Sequence, residues 1–125
     1  MSIMGHSLPV ALACRYIHAN AHRDIGLDDI TQAARLSPRG LQYAFRKQLG
    51  VTPLGYLREV RLARAHDDLL AEGSAPERHA TVNEIARRWF FTHPSRFAAT
   101  YFAAYGVYPN DELRPAHASG PLARG

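Results

Sequence analysis

The sequence predicts an all-α protein: seven helices, set out as two like corner units with one long helix between them. Three observations predict it. Apolar residues recur at three- and four-residue spacing along most of the chain, helix-start pairs and terminating glycines punctuate them, and the second half repeats the first. Alternating, strand-like stretches are almost absent.

Taken in order, Met1 to Ser7 is expected to be a loose start. From Leu8 to about Ala21, the apolar positions Val10, Cys14, Ile17 and Ala21 lie on one helical face. Gly26 can cap a second helix whose first turn carries Asp28 and Asp29, where the helix dipole favours acids, with Leu27, Ile30 and Ala34 inward. Ser37-Pro38 joins an N-cap serine to a proline at the first helical position, and this third helix runs to Leu49 and stops at Gly50. Thr52-Pro53 repeats the signal for a fourth helix over 52–71, with Leu62, Ala65 and Leu69 on one stripe. Glu72 to Ala80, holding Gly73, Ser74 and Pro76, reads as a loop. Thr81 and Glu84 then have capping-box spacing for a fifth helix with Val82, Ile85 and Ala86 inward. Phe90-Phe91 marks a turn. His93-Pro94 opens a sixth helix that runs to Tyr105 and stops at Gly106, Pro109 starts a short seventh, and residues 115–125 are expected to be a flexible tail.

The repeat is specific in register. At an offset of 56, Pro38, Leu41, Phe45, Leu49, Gly50 and Pro53 match Pro94, Phe97, Tyr101, Tyr105, Gly106 and Pro109. At an offset of 55, Leu27 and Ile30 match Val82 and Ile85, so the one-residue shift falls in the turn, where an insertion costs least. Each unit is a helix, a capped turn and a second helix, the outline of a helix-turn-helix.

Composition narrows the function. The chain has 125 residues, 46% hydrophobic and 21% charged, ordinary values for one globular domain or two very small units sharing a core. Its longest apolar run, Leu8 to Cys14, is seven residues and holds Pro9, far short of the roughly 20 that cross a membrane. No basic residue precedes that run, which argues against a secretory leader, and the single Cys14 excludes an internal disulfide and fits a reducing, cytoplasmic setting. The net charge is +4, unevenly spread. Between Arg35 and Arg64, seven basic residues (Arg35, Arg39, Arg46, Lys47, Arg58, Arg61, Arg64) meet one acid, Glu59, a local +6 against −2 elsewhere. Such a segment points to a polyanionic partner; a solvated arginine-rich surface is the plainer alternative.

The run from Ser37 to Pro53 (Ser-Pro-Arg-Gly-Leu-Gln-Tyr-Ala-Phe-Arg-Lys-Gln-Leu-Gly-Val-Thr-Pro), followed by Tyr56 and Arg61-Leu62, resembles the first half of the AraC/XylS DNA-binding domain. Val82-Asn-Glu-Ile-Ala, then Phe91, Ser95, Phe97, Tyr101, Gly106 and Pro109, is similar to its second half. The resemblance implies a domain over 8–114: one helix-turn-helix at about 8–50, a linker helix at 52–71, and a second helix-turn-helix at about 82–114. It further implies two recognition helices, at about 38–49 and 94–105, entering successive major grooves. A twenty-residue linker helix is about 30 Å long, close to the ~34 Å between successive grooves on one side of B-DNA. One monomer could therefore read a bipartite site.

On the third helix, Leu41, Ala44, Phe45 and Gln48 centre on one side, while Arg39, Gln42, Tyr43 and Arg46, with Lys47 at the edge, lie opposite. Arginine can pair with guanine and glutamine with adenine through two hydrogen bonds. The resemblance places base contacts at Arg39, Gln42 and Tyr43, although many members carry arginine where Tyr43 stands; Tyr43 could instead meet a thymine methyl or a phosphate. Arg46, Lys47 and the Ser37 cap suit phosphate. On the sixth helix, the positions equivalent to Arg39, Gln42, Tyr43, Arg46 and Lys47 are Ser95, Ala98, Ala99, Phe102 and Ala103. Members often have arginine or lysine where Ala99 and Phe102 stand, and Phe90 replaces the expected turn glycine. Ser95 and Arg96 remain as base contacts, with Thr92 and His93 toward phosphate, so the first unit is expected to dominate base readout. Arg87 and Arg88, on the helix before it, could also touch phosphate or stay solvated.

The other constellations read as structural. His18 and His22 have metal-pair spacing without an acid between them or a third ligand nearby in sequence. Asp28-Asp29 and Asp67-Asp68 are adjacent on helices and point about 100° apart, wrong for an acid–base pair. Cys14 is expected to be a buried, inert thiol. Phe45, Trp89, Phe91, Phe97 and Tyr101 read as core, with Phe90 or Phe102 exposed as a partner contact. No catalytic, metal or cofactor site emerges. The function expected is therefore a sequence-specific, cytoplasmic, DNA-binding transcription regulator; the alternative is a helical protein-interaction module that keeps the scaffold without specific DNA binding. The partners expected are double-stranded DNA, then RNA polymerase or the effector-binding or dimerisation domain that the family usually carries in a longer chain, and no membrane.

Overall fold

The computed structural model describes residues 6–113. The expected tail at 115–125, Arg114 and Met1 to Gly5 of the expected loose start lie outside the described residues. Among those residues the chain is all helical, in seven helices: α1 (Leu8–Asn20), α2 (Leu27–Ala34), α3 (Pro38–Leu49), α4 (Pro53–Ser74), α5 (Val82–Arg88), α6 (Pro94–Tyr105) and α7 (Pro109–Glu112). The chain divides into two compact units whose boundary falls inside α4, between Arg61 and Leu62.

In the first unit, α1, α2 and α3 pack on one another around Val10, Ala13, Ile17, Ile30, Leu41 and Phe45, all withdrawn from solvent. Burying one side chain of the size of Phe45 or Ile17 contributes about 1.5–3 kcal/mol. Cys14, expected on this face, is half-buried, and Ala13 takes the inner position. Local signals fix the helix ends. Ser37 Oγ accepts the Gly40 amide at 3.1 Å, a cap worth about 1 kcal/mol. Gly50, at φ 78°, sends its N–H back to the carbonyls of Arg46 and Phe45. The start of α1 is tied to α3, because Gln48 Oε1 accepts the Ser7 amide at 2.8 Å and its Nε2 donates to Ser7 Oγ at 3.1 Å.

In the second unit, Leu62, Ala65 and Leu69 of α4 form the buried stripe that their spacing predicts, with Ile85, Ala86, Trp89, Phe97, Tyr101 and Leu113. Phe91 is half-buried rather than core. The Thr81–Glu84 capping box is complete at 2.9 and 3.1 Å. The fourth helix is longer than expected, running three residues beyond 71 to Ser74 and through Gly73. The glycine there does not break the helix. It admits the Glu112 carbonyl of α7, against which any Cβ would collide. The following loop closes on Glu72, whose carboxylate accepts the amides of His79 and Ala80; those bonds hold its carboxyl below the usual range.

Candidate nucleic-acid interface

The sides of α3 separate as its periodicity requires. Leu41 and Phe45 are fully buried. Arg39, Tyr43, Arg46 and Lys47 are exposed, Gln42 is half-buried, and the Ser37 cap is exposed before them. Tyr43 leaves 65% of its surface in solvent, a high value for an aromatic ring. Lys47 Nζ lies 5.8 Å from the Tyr43 ring centroid, one helical turn on, within cation–π range. No acid stands anywhere on α3, so the exposed side presents three cations, a phenol and an amide.

The wider basic segment does not turn all of its cations outward. Arg61, half-buried, donates to the carbonyls of Ala21 and Arg23 at 2.9 and 2.7 Å and so closes the C-terminal end of α1; burial lowers its pKa. Arg64 lies over the Trp89 ring at 5.9 Å. Of the pair expected near phosphate, both exposed, Arg88 donates to Asp68 Oδ2 at 2.8 Å, and the same oxygen accepts Trp89 Nε1 at 2.8 Å. Sequence gives charge and not direction, so ties to carbonyls and rings 20 to 40 residues away escape it.

On α6, Phe97 and Tyr101 are buried, and Thr92, His93, Ser95 and Arg96 gather exposed around its first turn. On the same side stand Ala99, Phe102 and Ala103, exposed, with Ala98 half-buried beside them. Phe102 is 43% exposed and stacks on Tyr108 with centroids 4.6 Å apart; Phe90 is exposed too, so both expected exceptions lie at the surface. Phe90 takes φ 70°. The turn is therefore left-handed with phenylalanine where the resemblance leads one to expect glycine, at a cost of about 1–2 kcal/mol.

Two polar groups sit behind these faces. Tyr101 donates its hydroxyl proton to Glu112 Oε2 at 2.9 Å and accepts from His66 Nδ1 at 2.5 Å, while His66 stacks flat on Tyr105 at 3.8 Å. Burial, then Glu112, push the Tyr101 hydroxyl pKa upward. In the first unit, His18 Nε2 and the Tyr56 hydroxyl are 2.8 Å apart, and Tyr56 also bonds the Cys14 thiol; burial first, then Cys14, push Tyr56 up to about 12. Burial likewise raises Cys14. His66 carries no sequence signal, because its partners lie 35 and more residues away. No group of three or more His, Cys, Asp or Glu that could hold a metal occurs among the described residues, and no helix there is long and apolar enough to cross a membrane.

Known proteins match this architecture. A family model described as a helix-turn-helix domain matches residues 30–114. The chain is 38% identical over 105 residues to a probable thc operon regulatory protein of Rhodococcus erythropolis, covering 84% of this chain and 31% of that one. It is 37% identical over 100 residues to a XylDLEGF operon transcriptional activator of Pseudomonas putida, covering 80% and 30%. The chain thus spans about three-tenths of the length of these curated relatives. A crystal structure of a probable AraC family transcriptional regulator from Rhodopseudomonas palustris superposes with a TM-score of 0.76 at 33% identity, covering 86% of this chain and 95% of that one. With its two capped corner units and this likeness over nearly the whole of a solved relative, the chain belongs to the AraC/XylS family of helix-turn-helix transcriptional regulators.

Proposed function

We propose that the chain is a sequence-specific DNA-binding transcription regulator whose domain spans 8–114 and whose helices α3 and α6 enter successive major grooves, with α3 dominating base readout. One observation carries the reading: α3 buries Leu41 and Phe45 and turns Arg39, Tyr43, Arg46 and Lys47 outward with no acid among them. Arg39, Gln42 and Tyr43 read bases, and Ser37, Arg46 and Lys47 hold phosphates. On α6, Ser95 and Arg96 read bases while Thr92 and His93 hold phosphate. The relatives' descriptions as an operon regulatory protein and an operon transcriptional activator support a role in regulating transcription; the role proposed is binding and not catalysis, in the cytoplasm. RNA polymerase, or an effector-binding or dimerisation domain in a longer chain, completes the partners. A second reading, a protein-interaction module on the same scaffold, draws on the exposed Phe102–Tyr108 pair.

Mobility shifts on random and promoter duplexes separate the two. Binding at low salt that sharpens into site preference supports the regulator, and no binding at any salt supports the interaction module. Arg39→Ala weakens the preferred site more than random DNA. Arg46→Ala weakens both alike and lowers the salt slope by about one for the lost phosphate contact.

A further inference from the structure

The outward side of α6 pairs two chemistries. Around its first turn stand Thr92, His93, Ser95 and Arg96, exposed and without an acid among them. Beyond them the surface is hydrocarbon: Ala99, Phe102 and Ala103 exposed, Ala98 half-buried. Phe102 lies in contact with Tyr108, the two rings stacked at an interplanar angle of 22°. A first turn that offers Thr92 and His93 to phosphate and Ser95 and Arg96 to base edges, followed by a strip of small apolar residues, matches a groove floor that also offers hydrocarbon. The thymine C5 methyl is the apolar group that the major-groove floor of DNA presents.

We propose that Ala98, Ala99 and Phe102 read thymine methyl groups, so that the half-site under α6 is thymine-rich and is selected by apolar contact. The inference rests on the DNA-binding function proposed above and deepens it by naming the base that α6 selects. Alanine at 98, 99 and 103 lets the helix backbone approach the groove closely, and Phe102 extends the apolar strip beside Tyr108. A cytosine opposite Ala98, Ala99 or Phe102 would set its amino group against a side chain that cannot accept the hydrogen bond.

The test uses the full chain and duplexes selected by it from a random pool. The α3 half of the selected site is the half whose base preference relaxes in Arg39→Ala; the other half is then resynthesised with deoxyuridine for thymidine, which removes the methyl and nothing else. The wild-type chain is expected to lose about fourfold in affinity for each contacted methyl. Phe102→Ala is expected to lose most of that sensitivity, and Phe102→Leu, which keeps an apolar side chain, to retain part of it. Equal binding of the thymidine and deoxyuridine duplexes, or a selected half-site without thymine, overturns the proposal while the Arg39-dependent site still stands. If no duplex is selected and the Phe102 patch instead joins two copies of the chain, the DNA-binding function falls together with this inference.

Discussion

Helices α3 and α6 each run 12 residues, from a proline at the first position to a glycine at φ 78° and 77°. Each buries a pair of large residues four apart, Leu41 and Phe45 in one, Phe97 and Tyr101 in the other. Their outward sides share little: three cations beside Tyr43 on α3, one arginine beside Phe102 on α6. Packing constrains the inner face and the caps, because a change there opens a cavity or orphans a backbone group. The outer face is constrained far less, by contacts such as the Phe102–Tyr108 stack, and is freer to follow whatever it touches. The two units also differ inside. Phe45 meets the edge of Tyr56 at 5.9 Å and needs no polar partner, whereas Tyr101, buried at the equivalent place, brings a hydroxyl that His66 and Glu112 satisfy.

Core truncation gives the largest effects and tests whether the units are alike in packing. Phe45→Ala and Tyr101→Ala are each expected to cost about 3–5 kcal/mol, measured by denaturant unfolding. Tyr101→Phe gives the second unit the first unit's chemistry and costs less, about 1–3 kcal/mol, because the ring stays while His66 and Glu112 lose their shared partner. Trp89, the single tryptophan, lies in the second unit and reports the change by fluorescence. A neutral or stabilising Tyr101→Phe would mean that the polar group contributes nothing and that the two cores are equivalent.

The outer faces come next. Arg39→Ala is expected to cost about 1–3 kcal/mol in binding a selected site, and Ser95→Ala, its repeat equivalent, under about 1 kcal/mol, both read from dissociation constants at one fixed salt concentration. Equally mild effects would erase the proposed inequality between the halves.

Much of this asymmetry was legible in the sequence. The 56-residue register, the Ser37 and Thr81 caps, the two terminating glycines and the inward stripes follow from spacing and cap chemistry, which are local. So was the division of α3, since 100° per residue leaves little freedom once Leu41 and Phe45 are inside. Of the features that were not legible, two have partners distant in sequence and one is a local ambiguity of spacing. Gly73 looked like a breaker because its neighbour, the Glu112 carbonyl, is 39 residues away. Arg61 looked like part of a basic surface because charge carries no direction. Cys14 looked buried because a 4-3-4 spacing admits Ala13 as the inner residue equally well.

Alkaline pH offers a smaller contrast, and its sign follows from the raised hydroxyls. Tyr56 in the first unit and Tyr101 and Tyr105 in the second ionise less readily when folded than the ordinary tyrosine value of 10.0, in each case chiefly through burial. Their neutral forms therefore favour the folded state fully below about pH 10, and that contribution is lost as pH rises through the folded values, about 12 for Tyr56. Stability measured across this window is expected to fall, and Tyr56→Phe or Tyr105→Phe to flatten the fall. An unchanged slope in both variants would place the alkaline loss elsewhere.

The smallest effects concern the two turns. Arg35 at φ 60° and Phe90 at φ 70° occupy equivalent left-handed positions at the 55-residue offset, and neither is glycine. A side chain there costs about 1–2 kcal/mol, while glycine adds about 0.5–1 kcal/mol of chain entropy to be lost on folding. Arg35→Gly is thus expected to stabilise by up to about 1 kcal/mol, since Arg35 is exposed and gives up little packing. Phe90→Gly relieves the same strain but surrenders a ring that is only 37% exposed, so its net effect should lie near zero. Thermal midpoints of the two variants compare them directly. A larger gain at Phe90 than at Arg35 would mean that this ring contributes nothing to the second unit, leaving contact with a partner as the reason a phenylalanine holds a glycine's place.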